Sequence, residues 1–229
     1  MAISIGCAHR TGDEIVVDGN FVHTGAHRVV LWTDRGGYNA YLTGHFEPRP
    51  PGQQIDQFVI HYDAAGSSDR CFAILQERKL SVHFMLDTDG TIYQTLDTKE
   101  RAYHATKANA RSVGVEIANL GAFPIDRVRP PNAVVGMIQG ENLWMQDFTP
   151  QQYDSLIKLT AALCKALPEI RCNYPRDASG RLIPNALTDH QWEHFHGILG
   201  HYHVQSNKQD PGPAFQWDRV IRGAQALLE

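Results

Sequence analysis

Short strand-like segments alternate with helical segments along this chain, and this order constrains the fold more than any other feature. The run "FVI" at residues 58–60 is short and apolar, as in a buried strand. In "SVGVEIANL", residues 112–120, branched apolar residues alternate with Gly, Glu and Ala, which predicts a strand with two different faces. Because helical segments separate such strands, we expect an α/β (mixed α+β) fold with a central mixed β-sheet flanked by helices.

Helix and turn signals support this interpretation. The clearest helix begins after Thr149, with Pro150 in its first turn and Gln152 completing a capping box. A second helix is expected over residues 68–79. The sequence "DTDG", residues 87–90, lies between two apolar stretches and predicts a β-hairpin.

A proline-rich junction divides the chain. Residues 48–52, "PRPPG", follow a region with two short strand-like pieces. We therefore predict an N-terminal extension, residues 1–52, that packs on a main domain of residues 53–229. Within the main domain, residues 121–148 are expected to form a long loop because Pro, Gly and Asn recur there.

Composition excludes several classes of protein. A hydrophobic content of 42% and a charged content of 20% are typical of a folded domain. The net charge of −4, without long charged runs, argues against nucleic acid as a partner. No apolar run reaches the roughly 18 residues of a membrane span. The N-terminus lacks the pattern of a secretory signal, so we expect a protein that is cytoplasmic at synthesis and can still act on the cell wall.

The segment "GHYHVQSNKQDPGP", residues 200–213, concentrates groups that bind metals. Catalytic zinc usually takes three protein ligands and leaves one position for water. His61, at the end of the first predicted strand, is one candidate ligand. An aspartate, Asp210, can return to the same metal as a histidine of this segment if the loop between them curls. Spacing alone leaves the choice between His201 and His203 open.

Other histidines and the cysteines fit metal sites less well. His190 and His194 would share one face of a helix, but "HQWEH" places its glutamate differently from the H-E-x-x-H of zinc proteases. We expect them to be surface histidines. The four cysteines form no C-x-x-C pair and are expected to be small buried apolar residues.

Four motifs follow one another in the order found in a known family. They are "FVIHYDA", "SVHFMLDTDGTIYQTLDTKERAYHA", "NARSVGVEIAN" and "GHYHVQSNKQDPGPAFQW". With these motifs, roughly residues 55–225 of the chain resemble the zinc-dependent N-acetylmuramoyl-L-alanine amidases and the peptidoglycan recognition proteins. The resemblance implies Zn²⁺ as cofactor, peptidoglycan or a muropeptide as substrate, and hydrolysis of the amide bond between N-acetylmuramic acid and L-alanine.

The resemblance also assigns roles to single residues. His61, His201 and Asp210 fall on the metal-ligand positions, because the second ligand of the family directly follows the glycine. Glu116 falls on the acidic catalytic position, and Lys208 falls on the catalytic lysine.

Further positions of the family line or support its cleft. His104, Asn109 and Arg101 are accordingly expected to contribute to substrate binding, whereas His83 is expected to point into packing. Val82 stands where the phage branch has a tyrosine, so the glutamate is favoured over a tyrosine-assisted mechanism.

Two alternatives compete with this interpretation. Several recognition proteins of the superfamily bind peptidoglycan but lack a zinc ligand, so a non-catalytic binding module is the main alternative. An unrelated zinc hydrolase acting on other amides is the second. The complete set of expected ligands and catalytic residues favours the amidase.

Overall fold

The computed structural model describes residues 12–229; the first eleven residues of the predicted extension, including Cys7, lie outside the described part. The strands within this part are β1 (Glu14–Val17), β2 (Asn20–His23), β3 (Val29–Leu31), β4 (Phe46–Pro48), β5 (Gln57–Tyr62), β6 (Phe84–Leu86), β7 (Ile92–Gln94), β8 (Glu100–Ala102), β9 (Ser112–Ile117), β10 (Phe123–Pro124), β11 (Val134–Ile138), β12 (Glu141–Met145) and β13 (Gly197–Gly200). The helices are α1 (Ser68–Glu77), α2 (Pro150–Ala166), α3 (Asp189–His194), α4 (His201–Val204) and α5 (Trp217–Ala226).

A six-stranded mixed sheet organises the fold in the order β13-β5-β9-β6-β7-β3. Strands β13, β5, β9 and β6 run parallel to one another, whereas β7 runs antiparallel to β6 through the predicted hairpin. The strands β5 and β9 lie in the interior of the sheet, which explains their apolar runs. The predicted class, a central mixed sheet with flanking helices, is confirmed.

One face of the sheet packs against helices. Phe58, Ile60 and Val115 share a buried cluster with Leu159 of α2 and Val220 of α5. Burial of each such side chain contributes about 1.5–3 kcal/mol. Side chains that alternate with this set, at the carboxyl ends of β5 and β9, therefore face the opposite side, where the cleft lies. Across residues 12–229, no helix has the length and apolar character to cross a membrane.

The predicted capping box of α2 is present. The hydroxyl of Thr149 accepts from the Gln152 N–H at 3.0 Å, and the Gln152 side chain accepts from the Thr149 N–H at 2.9 Å. Helix α1 also begins at the predicted residue, Ser68, and Ser67 is its N-cap.

Residues 12–52 are joined to the rest of the chain by strand pairing. Strand β3 pairs with β7 at the sheet edge, and β4 pairs with β8. The guanidinium group of Arg49 donates hydrogen bonds to the main-chain carbonyl oxygens of Thr98, Asn109, Ala110 and Ser112. These contacts tie the extension to the main chain just before β8 and to the segment that leads into β9. The boundary at residue 52 stays a prediction.

The prediction of a long loop over residues 121–148 is wrong. This segment contains an antiparallel three-stranded sheet in the order β10-β12-β11. Strands β11 and β12 are joined by the two residues Gln139 and Gly140, because Ile138 is the register partner of Glu141. One face of β12 is buried, with Leu143 and Met145 almost inaccessible, which supplies the apolar contact that holds this small sheet on the protein.

Candidate metal site and its cleft

Three side chains converge where the parallel strands β5 and β13 end. His61 is the second-to-last residue of β5, and His201 is the first residue after β13, so strand pairing places the two histidines side by side. The Nδ1 atoms of His61 and His201 lie 2.8 Å and 3.0 Å from the same Oδ2 atom of Asp210. All three residues are buried, and their ligand atoms lie within 4.8 Å of one another. These residues could hold a metal ion.

The protonation of His201 supports this interpretation. Its Nε2 atom lies 2.7 Å from the side-chain oxygen of Gln205 and must donate to that oxygen. A neutral imidazole carries only one N–H, so the Nδ1 atom holds a lone pair. Two acceptors, the Nδ1 atom and the Asp210 carboxylate, therefore face each other.

A longer hydrogen-bonded chain gives the same result for His61. The hydroxyl of Ser112 donates to the carbonyl of Ala108 at 2.7 Å, so its oxygen accepts from Nε2 of His104 at 3.3 Å. The Nδ1 atom of His104 is then an acceptor for the Nε2–H of His61, 3.0 Å away. The Nδ1 lone pair of His61 is left facing Asp210. Two lone pairs and a carboxylate oxygen directed at one another are the donor set of a bound cation.

Burial sets the charges of these groups. It lowers the pKa of His61 to about 4, with the neighbouring His201 adding to the effect. Burial alone would raise the pKa of Asp210, but the charge and hydrogen bonds of His201 and His61 outweigh it and hold that pKa below its ordinary value. At neutral pH His61 is therefore neutral and Asp210 is ionised, the forms in which these two groups bind metals.

Glu116 lies beside His61 on the neighbouring strand. The two residues are direct register partners of β5 and β9, and both line one cleft with a volume of about 300 Å³. Burial, followed by the charges of Asp210 and Asp63, raises the pKa of Glu116 well above its ordinary value. A raised pKa makes this carboxylate a stronger base, which suits a group that receives and returns a proton.

Lys208 and several residues that sequence reasoning missed complete the cleft. Lys208 is partly exposed and lines the cleft two residues before Asp210. Arg78, which caps α1, and Tyr103, which precedes His104, also line it. Tyr103 lies in the last four residues, "AYHA", of the second family motif and could have been proposed from it. Nothing in the sequence around Arg78 indicates that this residue lines the cleft.

Three further candidates lie outside the metal cluster. The side-chain oxygen of Asn109 accepts from the N–H groups of His104 and Ala105 at 3.1 Å and 2.7 Å, so Asn109 supports the turn that carries His104. Arg101 pairs with Glu47 at 2.8 Å and is not among the residues that line the cleft. A substrate-binding role for Asn109, Arg101 or His104 stays a prediction.

His83 and His203 are both buried and held by main-chain groups. The Nδ1 atom of His83 accepts from the Gly114 N–H, and its Nε2 atom donates to the carbonyl of Glu100. His203 likewise accepts from the Gly200 N–H and donates to a main-chain carbonyl. Both nitrogens of each ring are thus occupied by the backbone, in contrast to those of His201.

The helix α3 carries the pair His190 and His194. Their rings stack 4.4 Å apart on the surface, and Nδ1 of His194 contacts the carbonyl of His190 at 2.8 Å. Among the described residues, the only cluster of metal-binding side chains is His61, His201 and Asp210.

Comparison with known proteins gives consistent matches. A family model described as N-acetylmuramoyl-L-alanine amidase matches residues 51–213. The chain is 27% identical over 197 residues to 1,6-anhydro-N-acetylmuramyl-L-alanine amidase AmpD of Haemophilus influenzae, an alignment covering 77% of this chain and 86% of AmpD.

Two solved structures have a similar fold. One is AmpDH3 from Pseudomonas aeruginosa in complex with an anhydromuramic pentapeptide, with a TM-score of 0.51 and 19% identity over 76% of this chain and 61% of that chain. The other is AmiD from E. coli in complex with anhydro-N-acetylmuramic acid-L-Ala-D-gamma-Glu-L-Lys, with a TM-score of 0.51 and 20% identity over 76% of this chain and 60% of that chain.

Proposed function

Because this chain belongs to the N-acetylmuramoyl-L-alanine amidase family and is an enzyme that hydrolyses the muramoyl–L-alanine amide bond, we propose that its cofactor is zinc. The ligands in this proposal are His61, His201 and Asp210, and the catalytic residues are Glu116 and Lys208. The substrate is peptidoglycan or a muropeptide fragment of it. The substrate complexes of the two structural neighbours support this class of substrate.

One observation carries the proposal: the hydrogen-bond network leaves two imidazole lone pairs directed at a single carboxylate oxygen of Asp210. Two histidine nitrogens and one carboxylate match the ligand set of catalytic zinc, and they leave a further position free for water or substrate. A set of oxygen ligands, which calcium and magnesium prefer, would be different.

The protein groups around this set have separate tasks. Zinc, when bound, supplies a Lewis acid that polarises a carbonyl oxygen and makes water more acidic. Glu116 takes a proton from the attacking water and returns it to the nitrogen of the leaving L-alanine. The ammonium group of Lys208 stabilises the negative charge that develops on the carbonyl oxygen of the scissile amide.

Digestion of defined substrates tests the proposal. Zinc-loaded protein is incubated with purified muropeptides and, separately, with polymeric peptidoglycan, and the products are identified by mass spectrometry. We expect an intact stem peptide with a free L-alanine amino group and an unmodified sugar. In parallel, Asp210→Ala should lose tight zinc binding. Binding of substrate without cleavage by zinc-loaded protein would instead support a recognition module.

A further inference from the structure

The turn of the β11–β12 hairpin has an unfavourable residue at its first position. Gln139 and Gly140 have φ angles of +54° and +78°, so both residues of this two-residue turn are in the left-handed region. Such a turn favours Asn, Asp or Gly at the first position. A long side chain in a disfavoured backbone conformation persists where its surroundings hold it there, and such sites are often functional.

The side chain of Gln139 reaches across to the segment that carries the metal ligands. Its Nε2 atom donates to the carbonyl oxygens of Tyr202 and Gln205 at 2.8 Å and 3.1 Å, and it lies 3.5 Å from that of Lys208. Its Oε1 atom accepts from the N–H of Ala186 at 3.1 Å. One carboxamide thus joins three points of the segment from His201 to Asp210.

This segment contains little regular secondary structure. Helix α4 is a single turn, and the main chain is closed by bonds such as Tyr202 N–H to the Asp210 carbonyl at 3.1 Å. Two further contacts come from the same hairpin: Gly136 packs closely against Pro213, and Gln209 donates to Glu141. The hairpin therefore braces the segment from outside.

We propose that Gln139 is a positioning residue that sets the spacing of His201, Lys208 and Asp210 through the main chain. The carboxamide contacts neither the side chains of the metal ligands nor the cleft. It holds main-chain carbonyl groups of the segment that carries these ligands. This inference rests on the proposed function, because the spacing matters for the zinc that these residues bind. Groups that orient metal ligands commonly change metal affinity by 10–100-fold when removed.

Zinc affinity of Gln139→Gly tests this role. Glycine accepts the left-handed backbone, so the turn should be retained, while the three links to the metal segment are lost. We expect zinc affinity, measured by chelator competition, to fall at least 10-fold, with a changed absorption spectrum of the cobalt-substituted protein. The turnover number should fall while the Michaelis constant stays within about twofold.

Controls separate this inference from its premise. Met137→Ser, an exposed position on the same hairpin, should leave zinc affinity unchanged. Gln139→Asn keeps an amide group, but its side chain is too short to reach the metal segment. If Gln139→Gly does not fold, Gln139→Asn takes its place and should show the same loss of zinc affinity. The inference would be overturned if Gln139→Gly or Gln139→Asn binds zinc within twofold of the wild type and its cobalt spectrum is unchanged. Failure of the wild type to bind zinc would instead overturn the proposed function.

Discussion

Replacing Gly114 with alanine would place a methyl group against His104, the ring that fixes the protonation of the proposed ligand His61. A Cβ atom at Gly114 would lie 2.6 Å from both Cε1 and Nδ1 of His104, and its three nearest atoms all belong to that ring. Contacts this short are not tolerated, so the ring must move. His104 would then lose the 3.0 Å contact with Nε2 of His61 that leaves the Nδ1 lone pair free for the metal.

The structure sets the size of both expected effects. Overpacking costs about 1–3 kcal/mol, and replacing a strand-interior glycine returns about 0.5–1 kcal/mol of backbone entropy. The net loss in the free energy of unfolding should therefore be at most about 2.5 kcal/mol. Disturbing a group that orients a ligand should weaken zinc binding 10–100-fold, which corresponds to about 1.4–2.8 kcal/mol.

A double-mutant cycle with His104→Ala is the decisive assay. Urea denaturation of the metal-free proteins gives stability, and chelator competition gives zinc affinity. Because His104 supplies the clash, Gly114→Ala should no longer destabilise the protein in the His104→Ala background and should instead show the gain of about 0.5–1 kcal/mol from replacing the glycine. An equal loss of stability in both backgrounds would show that the methyl group strikes another part of the protein and would refute the reasoning.

Three further predictions address the acid–base group, the extension and the response to pH. Glu116→Gln should retain one equivalent of zinc but lower turnover at least about 100-fold in the muropeptide assay, since the general base is lost; full activity would place the base elsewhere. Arg49→Met leaves several carbonyl groups without their donor and should lower the free energy of unfolding by about 3 kcal/mol or more, measured by urea denaturation. A loss under about 1 kcal/mol would contradict the role of Arg49 in joining the extension to the main domain. Burial, aided by the charge of Arg49, lowers the pKa of His83 to about 3 in the folded protein, whereas its value in the unfolded chain is about 6.5. As the pH decreases, the unfolded chain therefore binds a proton at His83 before the folded protein does. The free energy of unfolding should fall as the pH decreases from 6.5 toward 3. Between pH 7.5 and pH 5 the wild type should lose about 2 kcal/mol of its free energy of unfolding through His83. The loss in His83→Gln should be smaller by this amount, measured by urea denaturation in the presence of a chelator. The same pH dependence in both proteins would rule out His83 as its source.

Local signals in the sequence predicted elements well because their causes are local. The capping box at Thr149 and Gln152 and the hairpin at residues 87–90 each depend on residues a few positions apart. The mixed sheet followed from the alternation of such elements. The order of the strands, which makes His61 a register partner of Glu116, depends on pairing between distant segments and could not be obtained from spacing.

The same distinction explains what the sequence did not predict. The prolines and glycines of residues 121–148 suggested a loop, yet a small sheet forms there because one face of β12 is buried against the rest of the protein. Arg78 enters the cleft only because the end of α1 packs beside β9. The family resemblance supplied the ligand candidates; the protonation of His61 through His104 and Ser112 required atomic positions.

The position of β13 at the outer edge of the sheet couples the cofactor to the integrity of the fold. This strand has β5 as its single neighbour in the sheet, and His201 follows directly from it, about 140 residues along the chain from His61. In the proposed site, a zinc ion shared by the two histidines would act as a cross-link that closes this very large loop in the folded state. Added zinc should therefore protect the amide hydrogens of β13 from exchange, because the ion would hold this edge of the sheet closed.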